Sequence, residues 1–428
     1  MYSRFSLNEH CFLVSGAKRG AIYDLCSGDI FSIDENALKL LEFCESGVSV
    51  QDIFKKPAFS QNKTEIISYL ESLEKNSVGF FLKGIDKVKK IEIARPAHKV
   101  DFMWLEITDK CNLKCIHCYN GNFGNRSHLK ENGNENRMRV IEDAYSLGCR
   151  KIQFIGGEPF LLGNKLIELV YFTRKIGYDF IEIFTNGMLI KEKQIDFLAK
   201  HNVSIAVSFY GPSPQIHNQV TLNDTSFDKT VSNLKKMKQA GLNIRVGITV
   251  MASNQDYAEE TVSFLKKDLG INNIKYDLVR PVGKGNDKKL IPSKLTWQQK
   301  SGTHQFPSCS LEMFRIMKYG HNCFSNKICV KANGEVTPCI MEKDVIFGNA
   351  YRNKLKEILE IEKNKRIRSL NKDFIEVCKY CEYRYGCFDC RPKAKISSSG
   401  RGFCAKPADC LYDPHTAKWK DREGGDNL

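Results

Sequence analysis

Strand and helix patterns alternate between residues 98 and 285, and this alternation limits the fold more than any other feature of the chain. Apolar, β-branched runs lie near 102–108, 151–155, 180–185, 203–209, 243–251 and 273–280. Between them are helical stretches such as "LIELVYFTRKIG" and "FDKTVSNLKKMKQAG". Alternation at this spacing indicates βαβ units and a parallel sheet. We therefore predict an α/β fold with a partial (β/α)6 TIM-like barrel, whose chemistry lies on the loops that follow the strands.

Three cysteines lie on the first of these loops, in the sequence "CNLKCIHCYN" at residues 111–120. Cys111, Cys115 and Cys118 form the pattern C-x3-C-x2-C. A short loop with this spacing can present one sulfur to each of three irons of a 4Fe–4S cluster, which leaves the fourth iron open. Zinc is the main rival metal, although structural zinc normally uses paired C-x2-C units and closes its fourth position. Cys149 is distant from this loop, and we expect it to be a core residue.

The composition favours metal binding over disulfides. The chain has 17 cysteines, which is an odd number, and many of them lie in tight clusters. Both features are expected for metal ligands in a reducing compartment. We find no signal peptide and no run of about 18 apolar residues that could span a membrane, so we expect a cytoplasmic protein without a membrane partner. The net charge of +15 fits an acidic peptide, nucleic acid or anionic lipid, but the basic residues are spread along the chain and select none of these.

Residues 1–95 show a β-then-α pattern. Strand patterns at 10–15, 20–26 and 30–33 precede helical patterns in "ENALKLLEFCESG", "VQDIFKK" and "TEIISYLESLEKNS", the last with Thr64 as its expected start. Cys11, Cys26 and Cys44 lack ligand spacing, and we expect them to be core residues. This order of elements resembles the small winged-helix-like precursor-recognition domains that are attached to peptide-maturing enzymes. A purely structural lid is the alternative.

The region from 98 to 285 resembles the radical S-adenosylmethionine (SAM) superfamily. The signature of that family is the C-x3-C-x2-C loop with an aromatic residue beside its last cysteine, here Tyr119. Motifs at the ends of the next three strands also occur in the order found in the family. Gly156-Gly157-Glu158-Pro159 follows the second strand, Thr185-Asn186-Gly187 follows the third, and Ser208 ends the fourth. The family often has Asp where this chain has Phe209, so the chain departs from the family pattern at this position.

The resemblance implies a set of cofactor-binding residues. The three loop cysteines would hold a 4Fe–4S cluster, Gly156 and Gly157 would allow close backbone approach, and Glu158 would receive the methionine amino group of SAM. Ser208 would lie near the ribose, with Asn186 and Tyr119 as further cofactor contacts. In the family, SAM chelates the open iron, and its cleavage by an electron from a donor such as flavodoxin or ferredoxin yields a 5′-deoxyadenosyl radical that abstracts hydrogen from the substrate.

A second group of cysteines lies between residues 300 and 428 and resembles the SPASM extension of radical SAM enzymes, which houses auxiliary clusters. Its members are Cys323, Cys339, Cys378, Cys381, Cys387, Cys390 and Cys410. The run from Cys378 to Cys390 is C-x2-C-x5-C-x2-C, with two rather than the usual three residues before its last cysteine. A zinc ribbon is the rival interpretation of this run.

The SPASM resemblance implies two auxiliary clusters, and therefore three 4Fe–4S clusters in the chain. The outer cluster would be held by Cys378, Cys381, Cys387 and Cys410. The inner cluster would be held by Cys323, Cys339 and Cys390. Two assignments stay open: Cys404 could replace Cys410, and either Cys309 or Cys329 could complete the inner set, although Cys329 could equally be an ordinary strand residue.

The three regions at 1–95, 98–285 and 300–428 together predict an enzyme that modifies a ribosomally made precursor peptide, whose leader we expect to be acidic. We favour a thioether between a cysteine sulfur and a substrate carbon, because an auxiliary cluster with a free iron could bind the substrate thiolate. A carbon–carbon cross-link, epimerisation and formylglycine formation in a sulfatase are the alternatives.

The non-enzymatic alternative is an iron–sulfur redox protein or a nucleic-acid-binding protein. The "GGEP" loop and an open three-cysteine site have no purpose in simple electron transfer. The sequence also lacks a basic stripe interleaved with aromatic residues of the sort that stacks on bases, so we expect no nucleic-acid partner.

Overall fold

The computed structural model describes residues 4–83, 88–96, 99–121, 133–292, 308–398, 400–407 and 409–419. The chain divides into two compact units. The central unit comprises residues 98–302 and 323–368, and the terminal unit comprises residues 1–97, 303–322 and 369–428. The terminal unit thus combines the N-terminal and C-terminal segments, which the sequence analysis treats as separate domains.

The strands of the described residues are β1 Arg4–Leu7, β2 Cys11–Ser15, β3 Gly20–Asp24, β4 Ile30–Ile33, β5 Gly79–Leu82, β6 Phe102–Thr108, β7 Lys151–Gly156, β8 Phe180–Thr185, β9 Ser204–Phe209, β10 Ile244–Val250, β11 Ile274–Leu278, β12 Lys327–Val330, β13 Glu335–Thr337, β14 Gly348–Asn349, β15 Tyr412–Asp413 and β16 Lys418–Trp419. The helices are α1 Glu35–Glu45, α2 Val50–Phe54, α3 Lys63–Lys75, α4 Asn134–Ser146, α5 Asn164–Ile176, α6 Glu192–Lys200, α7 Pro214–Thr221, α8 Ser226–Gln239, α9 Ala258–Lys267, α10 Leu311–Tyr319, α11 Leu355–Glu360, α12 Glu362–Arg368 and α13 Arg391–Ile396.

One mixed sheet organises the central unit. Its strand order within the described residues is β11-β10-β9-β8-β7-β6-β12-β13-β14, with parallel pairing from β11 to β12 and antiparallel pairing in β13 and β14. The structure therefore confirms the predicted α/β class with a central parallel sheet. Because the carboxyl ends of parallel strands share one edge, the loops after β6, β7, β8 and β9 can meet there.

The two faces of this sheet differ in chemistry. Alternate strand residues such as Leu105 and Ile183 are fully buried in an apolar core that also contains residues of α4, α5, α6, α8 and α9. The opposite face carries polar side chains near the amino ends of the strands. There the Glu182 carboxylate accepts hydrogen bonds from the Gln153 amide and from the Arg245 guanidinium, whose Nη2 lies 2.8 Å away. Pairing the buried carboxylate in this way offsets its desolvation.

The terminal unit contains the antiparallel sheet β2-β3-β4 and a separate pair, β1-β5. One face of the three-stranded sheet packs with the helices that follow it in an apolar cluster that includes Ile22 and Leu41. The other face packs against α10 and Tyr385. Tyr23 of β3 is fully buried there, and its hydroxyl donates to the Glu382 carbonyl at 2.9 Å. Residues far apart in sequence therefore stabilise the N-terminal module.

Two details of the predicted module are wrong. Cys11 and Cys44 are buried in the core as expected, but Cys26 is exposed. The reason is that β3 ends at Asp24, so Cys26 falls in the following turn, where its amide donates to the Asp24 carboxylate at 2.9 Å. Helix α3 begins at Lys63, one residue before the predicted start. Cys149 is buried in the core of the central unit, as predicted.

None of the described helices is both long and apolar enough to cross a bilayer.

Candidate functional site

The cysteine loop leaves the carboxyl end of β6 and is anchored by backbone hydrogen bonds from two other parts of the central unit. The Ile116 amide donates to the Val220 carbonyl of α7 at 3.0 Å. The Lys284 amide donates to the Cys118 carbonyl at 3.0 Å. Gly283, with φ at +62°, lies so close that an added Cβ would be 2.3 Å from the Tyr119 carbonyl oxygen. The path of the loop is therefore fixed by elements far from it in sequence.

The three thiols of this loop lie within electrostatic range of one another. Burial raises the pKa of Cys111 to about 11 and that of Cys115 to about 12, and the charges of the neighbouring cysteines add to both shifts. Burial also raises the pKa of Cys118, while Lys343 and Lys284 act in the opposite direction. Metal binding at these sulfurs would release protons, because thiolates are the ligands. Three soft sulfur donors on one loop fit the predicted 4Fe–4S cluster.

The "GGEP" loop lies directly against the start of the cysteine loop. The Gly157 amide donates to the Thr108 carbonyl and the Glu158 amide to the Lys110 carbonyl, each at 2.8 Å. An added Cβ on Gly156 or Gly157 would come within 2.2 Å or 2.0 Å of the backbone oxygens of Thr108 and Lys110. The two glycines therefore allow close approach between two backbone segments of the protein itself.

Glu158 is fully buried and accepts three hydrogen bonds from the protein. Its Oε1 accepts from the Phe160 amide at 3.0 Å and from the Thr185 hydroxyl at 2.8 Å, and its Oε2 accepts from the Asn186 amide at 2.9 Å. Burial raises the pKa of this carboxyl, and the three hydrogen bonds oppose that rise. The sequence predicts a contact of Glu158 with SAM, and the structure shows that this carboxylate joins the ends of β7 and β8.

Asn186, which binds Glu158 through its backbone amide, also connects the end of β8 to the cysteine loop. Its Nδ2 donates to the Asn112 Oδ1 at 2.8 Å and lies 3.9 Å from the Cys111 sulfur. Its Oδ1 accepts from the Met188 amide at 3.0 Å. Asn112 and Thr185 are contacts that sequence reasoning did not single out, although both lie inside motifs that it quoted.

Ser208 is linked to the cysteine loop through Tyr210, and Tyr119 belongs to that loop. Ser208 lies on the sheet face opposite the apolar core, and its hydroxyl interacts with Tyr210, whose phenol contacts Cys115. The Tyr119 hydroxyl donates to the Glu106 carboxylate at 3.0 Å, and the Lys343 ammonium lies 5.6 Å from the centre of its ring. Glu106 was not predicted, because nothing in its strand sequence marks it as functional.

Phe209 lies on the other face of β9. It is fully buried and stacks on Phe264 of α9, with ring centroids 6.1 Å apart. The residue that replaces the Asp often found in the family is therefore part of the apolar core in this chain.

The cysteines of the predicted inner set are distributed over both units. Cys323 and Cys339 belong to the central unit, and Cys390, which precedes α13, belongs to the terminal unit. Cys329 lies on β12 beside Trp104 of β6, on the face opposite the apolar core that contains Ile328 and Val330.

Cys329 and Cys309 have different surroundings. Burial raises the pKa of Cys329 well above its usual value, and the charges of Glu106 and Cys339 add to the shift. Cys329 therefore lies near a predicted ligand. Cys309 belongs to an apolar cluster of the terminal unit, and its sulfur lies 3.6 Å from the Tyr385 carbonyl oxygen.

The predicted outer set lies within the terminal unit. Burial raises the pKa of Cys378, and the charges of Cys387 and Cys410 add to this shift. Burial likewise raises the pKa of Cys381, and Cys387 and Cys378 contribute to the rise. Cys378 is therefore within electrostatic range of the other three cysteines of the set. Cys404 is exposed, whereas Cys410 is half-buried.

A strained turn presents the first cysteine of this set. Val377 has φ at +64° and ψ at −46°, and the Cys378 amide donates to the Glu376 carbonyl at 2.7 Å. This geometry is a γ-turn with positive φ, which is rare and costly for a β-branched residue. Strain of this kind tends to occur where function requires a particular side-chain direction.

The structure also brings together His10, Cys11 and Asp24, whose potential ligand atoms lie within 4.8 Å of one another. Asp24 Oδ1 accepts the amides of Cys26 and Ser27, and Cys11 belongs to the apolar core. We interpret this group as structural.

Comparisons with known proteins agree with this geometry. Residues 105–265 match the model of the radical SAM superfamily, and residues 323–382 match the SPASM model, described as an iron–sulfur cluster-binding domain. The chain thus carries a radical SAM domain followed by an iron–sulfur cluster-binding SPASM domain, which confirms both resemblances.

Two curated relatives are similar to this chain. An AdoMet-dependent heme synthase of Oleidesulfovibrio alaskensis is 23% identical over 384 residues, which cover 82% of this chain and 96% of the relative. The antilisterial bacteriocin subtilosin biosynthesis protein AlbA of Bacillus subtilis is 23% identical over 284 residues, which cover 62% of this chain and 60% of AlbA.

A solved structure is similar over nearly the whole chain. It is Streptococcus suis SuiB bound to precursor peptide SuiA, with a TM-score of 0.58 and 16% identity. The match covers 95% of this chain and 99% of SuiB. At this level of identity the similarity shows the fold.

Proposed function

We propose that this chain is a radical SAM enzyme that modifies a ribosomally made precursor peptide and forms a thioether between a cysteine sulfur and a carbon atom. The observation that carries the proposal is the contact of the cysteine loop and its start with Glu158 and Asn186 at the carboxyl edge of the sheet. The SPASM domain adds further cysteine groups, and relatives named for bacteriocin biosynthesis and for precursor-peptide binding support the substrate class.

When bound at the three loop cysteines, a 4Fe–4S cluster with SAM would supply a radical that abstracts hydrogen from the substrate. The residues around this site would bind and orient the cofactor. Glu158 would accept a hydrogen bond from the methionine amino group through its second oxygen, which has a single protein donor. Asn186 would hold the cysteine loop against β8 through Asn112. Ser208 would contact the ribose from β9.

We propose that the two cysteine groups of the SPASM region hold two auxiliary 4Fe–4S clusters. For the outer cluster, the electrostatic proximity of Cys410 to Cys378 favours Cys410 over the exposed Cys404. For the inner cluster, the position of Cys329 near Cys339 favours Cys329 over Cys309 as the further ligand.

The precursor would be recruited by residues 1–95 through its leader. In the described part of the terminal unit, β4 is an edge strand of the sheet β2-β3-β4, and Phe31 and Ser32 are exposed on it. An extended peptide can add to such an edge by main-chain hydrogen bonds, with alternate side chains giving specificity. The charge of +15 favours an acidic leader. Flavodoxin or ferredoxin would serve as the electron donor.

The experiment is a mass measurement on the precursor encoded beside the gene. Anaerobically reconstituted enzyme, SAM and a reductant should convert the precursor to a product that has lost two hydrogen atoms for each cross-link. The cysteine that forms the cross-link should no longer react with iodoacetamide. A precursor whose cysteines are replaced by serine is the matched control and should remain unmodified. Loss of two hydrogens from this control would instead indicate a carbon–carbon cross-link.

A further inference from the structure

The terminal unit buries two fixed positive charges beside the outer cysteine set. Lys372 and Arg391 are 1% and 0% exposed, and both contact Asp389, which is 4% exposed. Lys372 Nζ lies 2.8 Å from Asp389 Oδ1, and Arg391 pairs with Asp389 Oδ2. His321 Nε2 lies 3.2 Å from Asp389 Oδ1. The Asp389 carboxylate therefore contacts two basic side chains and an imidazole.

The Lys372 ammonium, besides pairing with Asp389, lies close to a cysteine sulfur. Lys372 Nζ lies 3.5 Å from the Cys387 sulfur, within the range of a hydrogen bond to sulfur. Two of the Arg391 donors bind the Phe403 and Ala405 carbonyls, each at 2.8 Å, so this side chain is fixed in place. Buried cations are stable only beside compensating negative charge. Thiolates at Cys378 and Cys387 would supply that charge, and both Lys372 and Arg391 oppose the rise in the pKa of Cys378.

We propose that Lys372, held in place by Asp389, is a positioning residue that sets the reduction potential of the outer 4Fe–4S cluster through its hydrogen bond to Cys387. The inference rests on the proposed function, because it requires that the outer set hold iron. One-electron reduction takes an electron from the external reductant and makes the cluster and its thiolates more negative. A fixed ammonium at the sulfur stabilises that state more than the oxidised state, so it raises the potential.

The test uses the full-length chain with Cys111, Cys115 and Cys118 replaced by alanine, so that only the auxiliary clusters remain. The midpoint potentials are measured by a redox titration followed by electron paramagnetic resonance. Lys372→Met should lower one of the two potentials by about 59 mV, which corresponds to a tenfold change in the one-electron equilibrium. Lys372→Arg, which keeps the charge, should lower it less.

Lys90→Met is the matched control. Lys90 is a partly buried lysine of the same unit, paired with Glu45 at 3.0 Å and bound to backbone carbonyls rather than to sulfur. Its replacement should leave both potentials unchanged. A potential in Lys372→Met equal to that of this control, with the iron content intact, would overturn the inference.

A second measurement needs no substitution at Lys372. Protein labelled with nitrogen-15 in its lysines should show a hyperfine coupling between the reduced outer cluster and one lysine nitrogen, and absence of this coupling would also overturn the inference. Replacing Cys378 and Cys387 with serine distinguishes failure of this inference from failure of the proposed function. If these replacements do not lower the iron content, the outer set holds no cluster and the proposed function fails at that point.

Discussion

At the scale of single residues, Glu158 combines a structural contact with a predicted cofactor contact. A carboxylate has about four lone-pair sites, of which the Phe160, Thr185 and Asn186 donors occupy three. The remaining site on Oε2 could accept from a charged amino group. The structural and cofactor functions can be separated, because they respond differently to the loss of charge and to the loss of shape.

Replacing Glu158 should therefore change two measurable quantities. Glu158→Ala leaves three donors without acceptors, and we expect a loss of unfolding free energy of about 1–3 kcal/mol for each buried group left unpaired. Glu158→Gln should lose less, because it keeps the shape and one acceptor. Both variants should bind SAM more weakly by about 1.5–3 kcal/mol, the range for a hydrogen bond to a charged group.

Urea denaturation and equilibrium SAM binding measure the two effects. Glu192→Gln is the control, since Glu192 is exposed and paired only with Lys236 on the surface. Unchanged SAM affinity in Glu158→Gln would remove Glu158 from the cofactor site and leave it a structural residue.

The sequence identified potential ligands better than it identified their partners. Cys111, Cys115 and Cys118 are apparent from spacing alone, because one loop carries all three. The contacts of Tyr119 with Glu106 and of Cys387 with Lys372 depend on how the chain folds, and no local pattern reports them. The sequence left open whether Cys329 is a metal ligand, because its strand has the ordinary pattern of apolar residues.

At the scale of secondary-structure elements, the turn at Gly283 supports the cysteine loop. Its positive φ and its approach to the carbonyl oxygens of Cys118 and Tyr119 leave no space for a side chain. Gly241, at the end of α8, also has a positive φ, of +72°, but an added Cβ there would have nothing within 4 Å. A comparison of substitutions at Gly283 and Gly241 therefore separates the effect of backbone strain from the effect of steric contact with the cysteine loop.

We predict that Gly283→Ala displaces the cysteine loop and lowers both the iron retained at that site and SAM cleavage. Gly241→Ala should cost about 1 kcal/mol of stability through backbone strain alone, with iron content and SAM cleavage unchanged. Iron content after reconstitution and the yield of 5′-deoxyadenosine are the measurements. Equal behaviour of the two variants would show that the turn does not support the loop.

Secondary-structure elements with strong local patterns were predicted well. The six strands β6 to β11 lie close to where the alternation placed them, because a helix separates each of these strands from the next along the chain. Strands β1 and β5 were missed, since each has four residues and they pair across more than seventy positions of sequence. The joining of β12 to the edge of the sheet at β6 was missed for the same reason.

At the scale of the whole molecule, the account requires three groups of cysteines to hold iron. Anaerobically reconstituted protein should bind about 12 irons, four for each group. Replacing Cys111, Cys115 and Cys118 with alanine should remove roughly a third of these and all SAM cleavage. Metal analysis and the yield of 5′-deoxyadenosine test this prediction, and zinc as the main metal at either cysteine-rich region would contradict it.

Leader binding should depend on the edge of β4 and not on the clusters. Phe31→Glu places negative charge at that edge and should weaken binding of an acidic leader about tenfold, or ~1.4 kcal/mol. Tyr171→Glu, at an exposed position on α5, is the control and should have no effect. Binding of a fluorescent leader to metal-free, full-length protein is the measurement, and added salt should weaken it. Equal affinities of the two variants would place the leader elsewhere.

The most direct test of the account follows a hydrogen atom from the peptide to the cofactor. A synthetic precursor with deuterium at its carbon-bound positions is incubated with the reconstituted enzyme, unlabelled SAM and a reductant, and the 5′-deoxyadenosine is analysed by mass spectrometry. We predict that 5′-deoxyadenosine formed during turnover carries one deuterium and that its amount matches the modified peptide. Unlabelled 5′-deoxyadenosine beside an unchanged precursor would contradict the claim that the peptide is the substrate.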